Sequence, residues 1–120
     1  MKVLVIDDEA LVRLSLRRAL DRSGHQVLEA EDGQAGLEQW LKFQPDLVFL
    51  DVLMPRLSGP DLLKNIMSKG IKVGKVILMS AFTGEYDLQK AKSLGANMFI
   101  LKPFDNIFSI VQMGEELVSG

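Results

Sequence analysis

Short, unbroken apolar runs, each closing on a polar residue and followed by a stretch of helical periodicity, constrain this chain more than any other feature. Val3–Ile6 leads into Asp7 and Asp8, Leu47–Leu50 into Asp51, Val76–Met79 into Ser80, and Met98–Leu101 into Lys102. Runs without polar alternation suit strands buried on both faces, the condition of parallel strands covered by helices. Parallel strands bring their carboxyl ends to one rim, where open α/β sheets hold their ligands. That rim would collect three carboxylates, a hydroxyl and an ammonium, a set suited to a divalent cation and a phosphoryl group.

The intervening segments read as helices. Glu9–Ser23 places Val12, Leu16, Ala19 and Leu20 on one face, with Gly24 as its stop. Gly33–Phe43 turns Gly36, Leu37, Trp40 and Leu41 inward, and Pro45 bars its extension. Ser58 caps a third helix running to about Lys69, with Leu62, Leu63 and Ile66 buried. A fourth spans Gly84–Leu94 and ends at Gly95. A fifth spans Asp105–Val118, with Ile107, Phe108, Val111 and Leu117 on one side, weakened at Gly114 by about 1 kcal/mol relative to Ala. Gln26–Ala30 is a more polar strand, suited to an edge. Five βα units result, predicting a doubly wound parallel sheet with right-handed crossovers and five flanking helices.

The 120 residues fit one domain, 1–120, long enough to bury a core. A net charge of -2 gives no reason to expect direct nucleic-acid binding. With no cysteine, disulfides and thiolate metal sites are excluded. The opening MKVLVIDDEA does not read as a signal peptide, and no apolar stretch is long enough for a membrane span. The expected location is cytoplasmic.

Three carboxylates on adjacent strand ends would repel one another and raise their own pKa values. A hard divalent cation relieves that crowding, and Mg²⁺ takes one or two carboxylates while leaving room for a phosphate oxygen. Phosphoryl transfer asks for an in-line nucleophile and charge stabilisation. An aspartate serves as such a nucleophile by forming an acyl phosphate. Lys102 would supply a cation for the phosphoryl oxygens and Ser80 a neutral donor. Taken singly, each residue has an ordinary reading as a turn or cap. The coincidence of suitable chemistry at every strand end points to a functional site.

Ile6-Asp7-Asp8-Glu9, Asp51-Val52-Leu53-Met54-Pro55 with Gly59, Ser80-Ala81 and Lys102-Pro103-Phe104 resemble the receiver domain of bacterial two-component response regulators. The resemblance spans essentially the whole chain. It implies a flavodoxin-like sheet of strand order 2-1-3-4-5. By resemblance Asp51 is the phosphoacceptor, charged by a sensor histidine kinase, a phosphotransfer protein or a small phosphodonor. Asp8 and Asp51 match the side-chain Mg²⁺ ligands, Asp7 the acid acting through water, and Leu53 the position whose backbone carbonyl binds the metal. Ser80 and Lys102 match the hydroxyl and lysine that meet the phosphoryl group, and the Lys102–Pro103 bond is expected to be cis. Phe99 matches the switch aromatic. The implied mechanism is a population shift that draws Ser80 inward, admits Phe99, and reshapes the surface of the fourth helix, fifth strand and fifth helix. That surface would control an output domain or a downstream protein, with a phosphorylation-linked homodimer also implied.

Ser stands where Thr is more frequent, and the aromatic is Phe rather than Tyr, so no phenolic hydroxyl anchors its pose. For Phe99 a static core role stands beside the switch role. Leu53 and Phe82 flank the phosphorylation site in the family, and their apolar bulk suggests a shield against attacking water; the alternative is apolar side chains without kinetic effect. His25 reads as a solvated loop residue. Arg13, Arg17 and Arg18 read as a solvated face, with the family's kinase docking beside the first helix. Trp40 reads as core, and Lys69, Lys72 and Lys75 as a mobile surface loop. Two other functions compete with the phosphoacceptor. One is a Mg²⁺-dependent phosphohydrolase with an aspartyl nucleophile, against which stands Leu53 where a second acid is expected. The other is a receiver-like interaction module that is never phosphorylated, against which stand the intact acids and lysine. A receiver would catalyse only its own phosphorylation and dephosphorylation. Whether an output domain follows in a longer protein is open at this level.

Overall fold

A computed structural model describes residues 1–81 and 86–120. The chain alternates β1 (Lys2–Ile6), α1 (Ala10–Arg22), β2 (Gln26–Ala30), α2 (Gly33–Phe43), β3 (Leu47–Asp51), α3 (Gly59–Ser68), β4 (Lys75–Ser80), α4 (Leu88–Ser93), β5 (Met98–Leu101) and α5 (Ile107–Ser119). All four strand pairings are parallel and the sheet order is β2-β1-β3-β4-β5. The sheet is therefore the doubly wound one that the apolar runs predict.

Side-chain alternation splits each strand between two cores. Leu4, Ile6, Val48, Leu50, Val76 and Leu78 face Trp40, Leu62, Leu63, Ile66 and Ala91. Val3, Val5, Leu47, Phe49, Ile77 and Met79 face Leu16, Leu20, Ile110 and Val111 on the other side. Val3–Ile6, Leu47–Leu50 and Val76–Met79 of the three central strands are apolar without interruption because neither face of these runs meets water. Trp40 is fully buried, and its indole N–H donates to the Val73 carbonyl at 3.0 Å.

Local chemistry sets the helix starts. Asp32 and Ser58 accept from the main-chain N–H three residues on, capping α2 and α3. The expected fourth helix begins later than Gly84. Residues 84 and 85 lie outside the described residues, Tyr86 and Asp87 are not helical, and the Asp87 carboxylate caps α4 through the Lys90 N–H at 2.7 Å. The fifth helix starts at Ile107 rather than Asp105. Asn106 Oδ1 takes the Phe108 and Ser109 N–H groups at 3.0 and 3.3 Å and fixes Asn106 as the cap.

Two inward assignments are corrected. Leu41 and Phe108 are exposed, 39 % and 61 %, because α2 turns Trp40 inward and α5 turns Ile110, Val111 and Gly114 inward. Gly114 has a packing reason: a Cβ there would lie 2.5 Å from Leu47 Cδ2, so α5 approaches β3 only without one. His25 is not solvated. Its side chain is 12 % exposed and its Nε2 lies 2.7 Å from Glu115 on α5. Lys72 pairs with Asp46 at 3.3 Å, and Lys75 opens β4 instead of belonging to a loop.

Candidate phosphoryl and metal site

Asp7 and Asp8 follow β1, Asp51 closes β3, Ser80 closes β4 and Lys102 follows β5. Because β1, β3, β4 and β5 are consecutive in the sheet, these residues share one rim. There Asp8, Asp51, Ser80 and Lys102 line a cavity of about 200 Å³ together with Glu9, Leu53 and Ala81, while Asp7 meets Lys102. Asp7, Asp51 and Ser80 are buried, whereas Asp8 is exposed at the mouth.

Lys102 organises the charge. Its Nζ lies 2.9 Å from Asp7 Oδ2, 2.9 Å from Glu9 Oε1 and 3.1 Å from Asp51 Oδ1. The ammonium donates hydrogen bonds to Asp7 and Glu9 and forms an ion pair with Asp51. Burial is the largest influence on Lys102 and opposes its charge. The hydrogen bonds to Glu9 and Asp7 and the charge of Asp51 outweigh it and hold the ammonium above its ordinary range. Burial pushes the Asp51 carboxyl up from 3.8 to about 7, and the neighbouring charges of Asp7 and Asp8 add to the rise against the pull of Lys102. Asp7 is also raised, chiefly by burial, although the Glu9 N–H and Lys102 donate to it.

One carboxylate oxygen from each of Asp7, Asp8 and Asp51 lies within 4.8 Å of the others. One ammonium does not balance this acidic group, and the charges of Asp7 and Asp8 add to the rise that burial imposes on the Asp51 carboxyl. Hard oxygen ligands at this spacing fit a divalent cation. The local backbone is built for closeness: a Cβ on Gly59 would stand 2.2 Å from the Asp51 carbonyl oxygen, and the Gly59 N–H donates to Val52 O at 2.9 Å. The Lys102–Pro103 bond is cis.

Asp7, Asp8, Asp51, Ser80, Lys102 and Leu53 thus meet, while Phe99 does not. Phe99 is half-buried on β5, packs against the Trp40-side core, and lines a separate groove of about 590 Å³ with Tyr86, Leu88, Leu101 and Phe104. Leu53 is 57 % exposed; Phe82 lies outside the described residues. Two residues gain roles that spacing does not reveal. Glu9 reaches Lys102 across 93 positions of sequence. Arg13 is 16 % exposed rather than solvated and donates to the Asp7 carbonyl at 2.6 Å.

A doubly wound parallel sheet with a lysine-bridged acidic rim at its carboxyl edge defines a class of phosphoryl-handling signalling domains. The chain belongs to the response regulator receiver domain family, whose model matches residues 3–112. It is 36 % identical over 104 residues to the chemotaxis protein CheY of Thermotoga maritima, covering 86 % of each chain. It is equally identical, over 104 residues, to the transcriptional regulatory protein PdtaR of Mycobacterium tuberculosis, of which it spans 50 %. It thus spans about half the length of that curated relative or less of others, such as PhoP of Bacillus subtilis at 42 %. The receiver domain of the Francisella response regulator 1452 superposes with a TM-score of 0.89 at 26 % identity, covering 98 % and 96 % of the two chains. The response regulator domain of Thermotoga maritima CheB does so at 0.84 and 30 %, covering 100 % and 97 %. Phosphoacceptance is the standard function of this family.

Proposed function

We propose that residues 1–120 act as one receiver domain whose phosphoacceptor is Asp51. The observation that carries this reading is the burial of the Asp51 carboxylate at the end of β3, 3.1 Å from Lys102 and within reach of Asp7 and Asp8. A carboxylate Oδ of Asp51 attacks phosphorus, and the P–N bond of a phosphohistidine, or the P–O bond of an acyl phosphate, breaks. The electron pair leaves with the departing imidazole or carboxylate, and Asp51 becomes an acyl phosphate. Mg²⁺, when bound by Asp8, Asp51 and the Leu53 carbonyl, with Asp7 acting through water, supplies positive charge to the phosphoryl oxygens. Lys102, already held at the rim, turns its N–H groups to those oxygens. Ser80 donates its hydroxyl and couples the event to Phe99.

The groove beside Phe99 lies among α4, β5 and α5, which supports reading that surface as the output face for an attached domain or a downstream protein. The donor is a histidine kinase or phosphotransfer protein, the location cytoplasmic, and a phosphorylation-linked homodimer a further state. The domain turns over no external metabolite: Leu53 presents an apolar side chain where an aspartyl phosphohydrolase needs its second acid. Incubation with acetyl phosphate and Mg²⁺ followed by intact mass tests the reading. The wild type is expected to gain one phosphoryl group and Asp51→Ala none. Equal labelling of both would overturn it, and turnover of phosphate esters in a steady-state assay would favour the hydrolase.

A further inference from the structure

Asp7 is held at every polar group. Its N–H donates to Ala30 O at 3.1 Å, and its carboxylate accepts from the Glu9 N–H at 2.8 Å and from Lys102 at 2.9 Å. Its carbonyl oxygen accepts from Arg13 Nη1 at 2.6 Å. That carbonyl belongs to the planar peptide unit joining Asp7 to Asp8. Holding its oxygen fixes the plane from which the Asp8 side chain departs. Asp8 is the exposed member of the acidic group and is therefore the one whose direction depends most on the main chain.

Arg13 is itself held. Its Nε lies 3.3 Å from Glu29 Oε1 on β2, and Glu29 Oε2 takes Arg17 Nη1 at 2.9 Å. The planar guanidinium spans two acceptors at once, one on the edge strand and one on the acidic turn. A lysine, with a single nitrogen on a flexible stem, does not reproduce that fork.

We infer that Arg13, oriented by Glu29, is a positioning residue that fixes the Asp7–Asp8 peptide and thereby sets the affinity of the acidic rim for its divalent cation. This rests on the Mg²⁺-dependent reading above. Outer partners that orient metal ligands typically carry about tenfold or more in affinity. The full chain is titrated with Mg²⁺ by calorimetry as wild type, Arg13→Ala, Arg13→Lys and Lys72→Ala. Arg13→Ala is expected to weaken Mg²⁺ binding about tenfold and Arg13→Lys severalfold. Lys72→Ala breaks an ion pair, to Asp46, that touches neither Glu29 nor Asp7, and is expected to stay within about twofold of wild type. At low Mg²⁺ the fraction phosphorylated by acetyl phosphate falls in the Arg13 variants and returns at high Mg²⁺. Should Arg13→Ala fail to fold, Arg13→Lys decides. Wild-type affinity in Arg13→Lys, or equal weakening in Lys72→Ala, overturns the inference and leaves the phosphoacceptor reading standing. A wild type that binds no Mg²⁺ overturns both.

Discussion

Replacing Asp51 by Asn should stabilise the metal-free protein. Its carboxyl rises from 3.8 in the ordinary state to about 7 in the fold, with burial the largest cause and Asp7 and Asp8 adding to it. The folded state therefore binds a proton between these values that the unfolded chain has released. Stability falls as pH climbs through that window and levels off above about 7. At about 1.4 kcal/mol per pH unit the ceiling on this cost is about 4 kcal/mol. Asn removes the charge and leaves Lys102 its two other carboxylates, Asp7 and Glu9, so no cation is stranded. The expected gain is about 1–4 kcal/mol at pH 8 in chelator, with each kcal/mol worth roughly 4 °C of melting temperature in a domain of this size. Below pH 4 both proteins carry a neutral group there, and the difference should vanish. Saturating Mg²⁺ should stabilise the wild type and close the gap. Urea and thermal melts at several pH values, with and without Mg²⁺, measure this. A variant no more stable than wild type at pH 8, or an advantage that grows as pH falls, would refute the assigned cost of holding a charged Asp51 buried beside Asp7 and Asp8.

Lys102→Met removes the ammonium that bridges two buried carboxylates and should cost about 3 kcal/mol in chelator at pH 8. The loss should shrink toward pH 5 as Asp51 takes a proton, which urea melts at the two pH values would show. Gly59→Ala would push a methyl against the Asp51 carbonyl and Val52 Cα and should cost about 3 kcal/mol, read by the same melts. Leu53→Asn places a polar group at the mouth of the site and should speed loss of the phosphoryl group in Mg²⁺; an unchanged decay rate removes the shielding role from Leu53.

Much of the architecture was legible because its signals are local. The apolar runs of the three central strands, the Ser58 cap and the inward faces of α1 and α3 depend on neighbours within a turn or a strand, and each stands where the sequence places it; Met98–Leu101 forms β5 as placed, but at the sheet edge it buries only Ile100 and leaves Leu101 exposed. The site was legible for a related reason. Parallel topology carries every strand's carboxyl end to one rim, so the residue after each run is enough to name Asp7, Asp8, Asp51, Ser80 and Lys102.

What the periodicity could not decide was pairing at a distance. Phe108 and Leu41 have the right character for a core, but α5 turns Ile110, Val111 and Gly114 inward and α2 turns Trp40 inward, which leaves the two exposed. His25 and Arg13 look like surface residues until Glu115, 90 positions away, and Glu29 on the next strand come beside them. Glu9 acquires its place only when Lys102 folds back across the chain. Burial and charge compensation arise from contacts between segments, and a single stretch of chain holds only one side of each.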